Sequence, residues 1–104
     1  MIISTTDQIS GKTITEVIGL VEGDVVLSKH IGSDIAASFR NIVGGEMKGY
    51  TEMMEHAREE ATSRMVAAAK KLGADAIVGM RYASSAIAAN ASEMLAYGTA
   101  VKLK

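Results

Sequence analysis

The sequence predicts an α+β fold, a helix layer packed on an antiparallel sheet. Three observations carry this. Ile-, Val- and Thr-rich stretches of strand length stand near both ends of the chain. A long run in the middle repeats its apolar residues at helical spacing. Glycines punctuate the boundaries in a chain that has no proline at all.

The elements follow in order. Ile2 to Thr5 is short and β-prone, and it can pair only as an edge strand. Thr13 to Leu27 suits an extended chain, either a hairpin or one long bent strand with a bulge, because Gly19 and Glu22-Gly23-Asp24 interrupt it. Its apolar residues Val17, Ile18, Leu20 and Val21 fall on both faces, so both faces need cover. Ile31, Ile35, Phe39 and Ile42 predict a short amphipathic helix, with Ser33 or Asp34 as N-cap and Gly44-Gly45 as its end.

Glu46 to Leu72 is the strongest helix. Met47, Tyr50, Met54, Ala57, Ala61, Met65, Ala68 and Leu72 mark one face. Glu52, Glu55, Glu59 and Glu60 occupy its first half and Arg64, Lys70 and Lys71 its second, which complements the helix dipole. Gly73 is the stop. Ala76 to Ala83 and Leu95 to Leu103 are the last strands. Ala88 to Ser92 turns between them, so they pair antiparallel. Along the second, Leu95, Tyr97, Thr99, Val101 and Leu103 point one way by alternation.

At 104 residues there is room for one domain, spanning 1–104. The chain is 48% apolar but only 4% aromatic, which excludes a disordered chain and makes aliphatic and Ala packing carry the core. One long helix cannot cover two faces of a four-stranded sheet. The unclaimed apolar positions and open edge strands predict burial against a symmetric copy of the same chain.

Composition narrows the function classes. The net charge is −1 and Lys70-Lys71 is the only adjacent basic pair, so no stripe tracks a phosphate backbone and no nucleic-acid partner is expected. There is no cysteine, which removes disulfides, thiol catalysis and Cys-based zinc sites. No apolar run approaches the ~18 residues of a membrane span. The N-terminal residues lack a signal-peptide pattern, so the expected address is cytoplasmic, with no membrane partner.

Five motifs stand in order along the chain: Ser4-Thr5-Thr6; Asp34 with Arg40-Asn41-Ile42-Val43-Gly44-Gly45; Tyr50 followed by Ala57-Arg58-Glu59-Glu60-Ala61; Leu72-Gly73-Ala74-Asp75-Ala76-Ile77-Val78-Gly79; and Gly98-Thr99-Ala100-Val101. In these the chain resembles the YbjQ-like family of small bacterial and archaeal proteins, nearly end to end. The resemblance implies a dodecin-like β-α-β-β subunit assembled into a ring, commonly a pentamer, and a heavy-metal-binding label that names no established activity. The chain departs from the family pattern in three places. An acidic Asp-x-Asp-Tyr-Glu run is replaced by Met80-Arg81-Tyr82-Ala83-Ser84-Ser85. A Gly-Ala-Asn step is replaced by Ser28-Lys29-His30-Ile31, and a Gly-Gly-Arg-Ser turn by Gly44-Gly45-Glu46-Met47.

Among the residues themselves, His56 lies four residues from both Glu52 and Glu60 on one helix face, a set that could hold a divalent metal ion. The competing reading is a solvated face with i,i+4 pairs, since a metal site needs a further ligand from elsewhere; a symmetric ring could supply one. Seven methionines offer soft donors, but adjacent Met53 and Met54 point to different sides and methionine is a common gap-filler. His30 reads as an exposed or interface histidine, and Arg40 and Arg58 as structural, pairing across subunits with acids such as Glu59 or Asp34. Gly44-Gly45 opens onto a helix N-terminus, but Glu46 would repel an anion there. Ser4, Ser28 and Ser33 lie in no nucleophile-elbow motif, and no P-loop is present. The sequence therefore points to a non-enzymatic homo-oligomeric binding protein, its ligand a metal ion or small molecule at subunit interfaces. The alternative is a structural or adaptor ring that binds a protein partner.

Overall fold

In the computed structural model, residues 1–28, 42–43, 46–88 and 91–104 are described. The chain forms β1 (Ile2–Ile3), β2 (Ile14–Ser28), β3 (Ile42–Val43), β4 (Glu46–Met47), α1 (Lys48–Lys71), β5 (Ala76–Ala88) and β6 (Ala91–Leu103). Four strands make one mixed sheet in the order β1-β5-β6-β2, with α1 laid across β2 and β6. β3 and β4 pair separately, Ile42 opposite Met47 and Val43 opposite Glu46.

The α+β class holds, with differences in detail. The sheet is mixed rather than antiparallel, because β1 runs parallel to β5. Ser4 and Met80 continue that pairing, the Ser4 amide donating to the Ile77 carbonyl at 2.9 Å and the Met80 amide to the Ser4 carbonyl at 3.0 Å. Of the two possibilities for the Thr13–Leu27 stretch, one long strand is present, with register shifts between Ile14 and Glu16 and between Val17 and Gly19. The helix begins at Lys48, because Glu46 and Met47 are held in β4. Ile42 is in a strand, not in the short helix expected from Ile31; the rest of that stretch, with His30, Ser33, Asp34, Arg40 and Gly44-Gly45, lies outside the described residues. β5 extends to Ala88 and β6 begins at Ala91, both beyond the bounds read from the sequence. Small residues satisfy a strand's backbone as well as large ones do, and only the pairing partner reveals them.

The helix ends where Gly73 predicts. Gly73 has φ +76°, its amide donates to the Lys70 carbonyl at 3.0 Å, and the Ala74 amide reaches back to the Ala69 carbonyl at 3.1 Å. That is the Schellman arrangement, which satisfies the last helical carbonyls.

The core lies between α1 and the sheet. Ala57, Ala61, Met65 and Ala69 from the helix meet Val21, Val25, Ile77, Met80, Met94, Ala96 and Ala100. Three of these four helix residues are alanines, which lets the backbones approach closely. Leu72, expected to end the buried stripe, is half-exposed because the chain has left the helix axis at the Gly73 turn. A second, smaller cluster of Ala76, Val78 and Val101 lies apart from this core, packed by Ile9, Ile14 and Leu103. Here the loop after β1 folds over one end of the sheet.

Elsewhere the face turned away from α1 is open. Val17, Leu20 and Val26 on β2 are each at least 60% exposed. From Arg81 to Ala88 every residue of β5 is exposed, Tyr82 and Ile87 among them. Among the described residues the molecule measures 52 × 27 × 16 Å, long and thin because this half of the β5–β6 pair has no second layer.

Candidate functional site

The residues picked from the sequence lie on one groove. Glu52, His56 and Glu60 project from successive turns of α1, and with Gly49, Met53 and Ala57 they face Val25 and Leu27 of β2 across an open groove of about 510 Å³. The floor is apolar and the helix wall carries the imidazole and carboxylates, a size and mixture suited to a small ligand. All three polar residues are exposed.

The groove is not a complete metal centre within one chain. Glu60 is engaged by Arg64, whose Nε stands 3.1 Å from Glu60 Oε1. Arg64 also donates from Nη1 to the Asp24 carbonyl at 2.6 Å, tying the helix to the outer margin of β2. Among the described residues no group of three or more His, Cys, Asp or Glu could hold a metal ion. Glu52, His56 and Glu60 thus do not come together as a three-ligand set within one chain. Met54 packs against the core, which takes one of the two adjacent thioethers out of any soft-donor site.

A second groove lies on the neighbouring side of α1. Glu55, Arg58, Glu59, Thr62 and Ser63 line it with Tyr82 of β5. The Thr62 hydroxyl donates to the Arg58 carbonyl at 2.7 Å and shares a 2.7 Å hydrogen bond with the Tyr82 hydroxyl. That bond holds the free half of β5 toward the helix. A third hollow, under the loop after β1, is lined by Asp7, Lys12 and Thr99 above Val17, Val78 and Val101.

The sheet register gathers carboxylates that the sequence reading did not single out. Glu22 is opposite Tyr97, Asp24 opposite Leu95 and Val26 opposite Glu93. Alternation puts Glu22, Asp24 and Glu93 on the face turned away from α1. The Glu93 carboxyl is held above the usual carboxylate range, first by its hydrogen bond to Asp24, then by the charges of Asp24 and Glu22 and by partial burial. The period-two spacing of Glu22 and Asp24 was legible in the sequence; which residue of β6 faces them depends on register.

Among the described residues no helix is long and apolar enough to cross a membrane.

Comparison with known proteins bears on all of this. The chain is 58% identical over 104 residues to a "UPF0145 protein" of Thermotoga maritima, with 100% of this chain and 98% of that protein covered. It is 60% identical over 103 residues to the corresponding protein of Thermosipho melanesiensis, covering 99% and 95%, and 58% identical over 104 residues to that of Psychromonas ingrahamii, covering 100% and 99%. A crystal structure of a Pediococcus pentosaceus protein of the DUF74 family superposes with a TM-score of 0.73 over 100% of this chain and 98% of that one, at 21% identity, and so shares the fold. Residues 1–104 match the YbjQ_1 family model, described as "Putative heavy-metal-binding", and the chain therefore belongs to that family.

Proposed function

We propose that this protein is a self-assembling, non-enzymatic binding protein whose ligand, a metal ion or a small molecule, is held where subunits meet. The observation that carries the reading is the amount of apolar surface that one copy leaves open on regular structure: Val17, Leu20 and Val26 on β2, with Tyr82 and Ile87 on β5. Large apolar side chains left exposed on the two strands that flank β6 are the mark of a surface meant to be covered, and a ring of identical subunits, five in the reading drawn from family resemblance, covers them without a second gene product. The His56 groove fits the same scheme. Its imidazole and carboxylates are exposed and do not make a metal site by themselves, so residues from a neighbouring copy would have to complete it.

The test is native mass spectrometry of protein purified without chelators, with metal content measured in parallel. A ring carrying a fixed extra mass supports the reading and weighs the ligand directly. A monomer at micromolar concentration overturns it.

One observation favours a second reading, a scaffold ring that binds a protein partner. The exposed half of β5 has backbone groups that an extended segment of another protein could pair with. A ring with no extra mass that captures one defined partner would favour that alternative.

A further inference from the structure

We infer that the free half of β5, from Arg81 to Ala88, is the place where the outer edge of β2 from a second copy of this chain adds to the sheet. This rests on the assembly proposed above and names the surface that makes it.

The N-terminal segment covers the edge of β5 only as far as Met80. The Gly79 amide donates to the Thr6 carbonyl at 2.9 Å and the Met80 amide to the Ser4 carbonyl. Arg81 closes that contact, its Nη1 donating to the Thr5 carbonyl at 3.0 Å and the Met80 carbonyl at 2.8 Å. Beyond it, the described residues leave the outer edge of β5 unpaired through Ala88, the inner edge being matched residue for residue with β6. The stretch has no proline, lysine or acid, the devices that protect an exposed edge. At the opposite margin of the sheet, β2 is the second edge strand, with no neighbouring strand among the described residues and with Arg64 bonded to its Asp24 carbonyl.

Charge selects the pairing. The β5 stretch carries Arg81 and no acid, whereas β2 carries Glu16, Glu22 and Asp24 and no base. Joining β2 to β2 sets like charges together, and joining β5 to β5 leaves the acidic edge open; β5 to β2 matches the signs and uses both edges. Direction agrees as well. β2 and β5 are both antiparallel to β6, so they run the same way. A neighbouring copy related by rotation about an axis running along the strands presents its β2 parallel to β5, a head-to-tail contact that can repeat around a ring.

Outward amides alternate along a strand. With Met80 pointing out, the next outward N–H groups belong to Tyr82, Ser84 and Ala86. Ser84→Pro removes one of them without touching the β6 ladder. We expect this variant to keep its cooperative thermal transition and to assemble at least tenfold more weakly. Because the natural chain has no cysteine, a second measurement stands alone. Ser85→Cys protein is mixed under mild oxidation with Leu20→Cys, Glu22→Cys, Asp24→Cys or Val26→Cys protein, all on the face turned away from α1. A mixed disulfide in at least one combination supports the inference, including where the proline variant fails to fold. Wild-type protein that assembles while Ser84→Pro assembles equally well, or while disulfides form only between two Ser85→Cys chains, overturns this inference and leaves the assembly reading standing. A monomeric wild type overturns both.

Discussion

Gly23 of β2 lies directly beneath Ala61 of α1, so close that a Cβ on Gly23 would collide with the Ala61 carbonyl oxygen and the Met65 amide nitrogen. The pair fixes the distance between helix and sheet. The glycine is there for this approach and not for a turn, and the alanines at 57, 61 and 69 are small for the same reason.

Gly23→Ala is therefore expected to push α1 off the sheet. Because the atoms in the way are backbone, they cannot rotate aside, and the cost should reach about 3 kcal/mol, the upper range for overpacking a core. Gly98→Ala should be costly but milder, since its nearest neighbour is a side-chain atom, Cγ2 of the fully buried Ile77 at 2.6 Å, while the backbone of Val78 and Met80 stands farther off, at 3.1 and 3.3 Å. Chemical denaturation of both variants checks the order.

Met65 is fully buried at the centre of the same interface. Met65→Ala should lose roughly 2–5 kcal/mol from lost burial and the cavity left behind, while Met65→Leu should cost under about 1.5 kcal/mol. Equal loss in both variants would contradict the packing described.

The Thr62–Tyr82 hydrogen bond anchors the free half of β5 to the helix. Tyr82→Phe and Thr62→Val should each cost about 1 kcal/mol, and the double variant little more than either alone, because they remove the same bond. Additive losses would show that the two hydroxyls act separately.

Glu93 gives the protein a pH dependence of known sign. Its carboxyl binds a proton more tightly folded than unfolded, because a charged Glu93 faces Asp24 and Glu22. Between the unfolded value and the raised folded one, the folded state holds a proton that the unfolded chain has released, so stability falls as pH rises through that window and gains as pH drops. Glu93→Gln should remove this part of the slope. Urea melts across the mildly acidic range compare the two; an unchanged slope would refute the assignment.

His56→Ala should lower whatever metal co-purifies with the wild-type protein, without lowering thermal stability, since His56 is exposed and outside the core. Metal content unchanged by the substitution would remove His56 from the proposed interface site.

The sequence by itself determined the α+β class, the long helix with its alanine-rich buried stripe, the Gly73 stop and the β-prone character of β2, because these depend on local periodicity and on which residues tolerate a left-handed backbone. It also placed Glu52, His56 and Glu60 on one helix face, since that follows from a repeat of 3.6 residues per turn. It did not determine the parallel seat of β1, the added length of β5 and β6, or the grouping of Glu22, Asp24 and Glu93. Those arise from strand register, which joins residues far apart in the chain and leaves no local trace. Nor could it show that Gly23 is a contact rather than a turn, which follows from how close the helix stands to the sheet, and only the tertiary structure sets that distance.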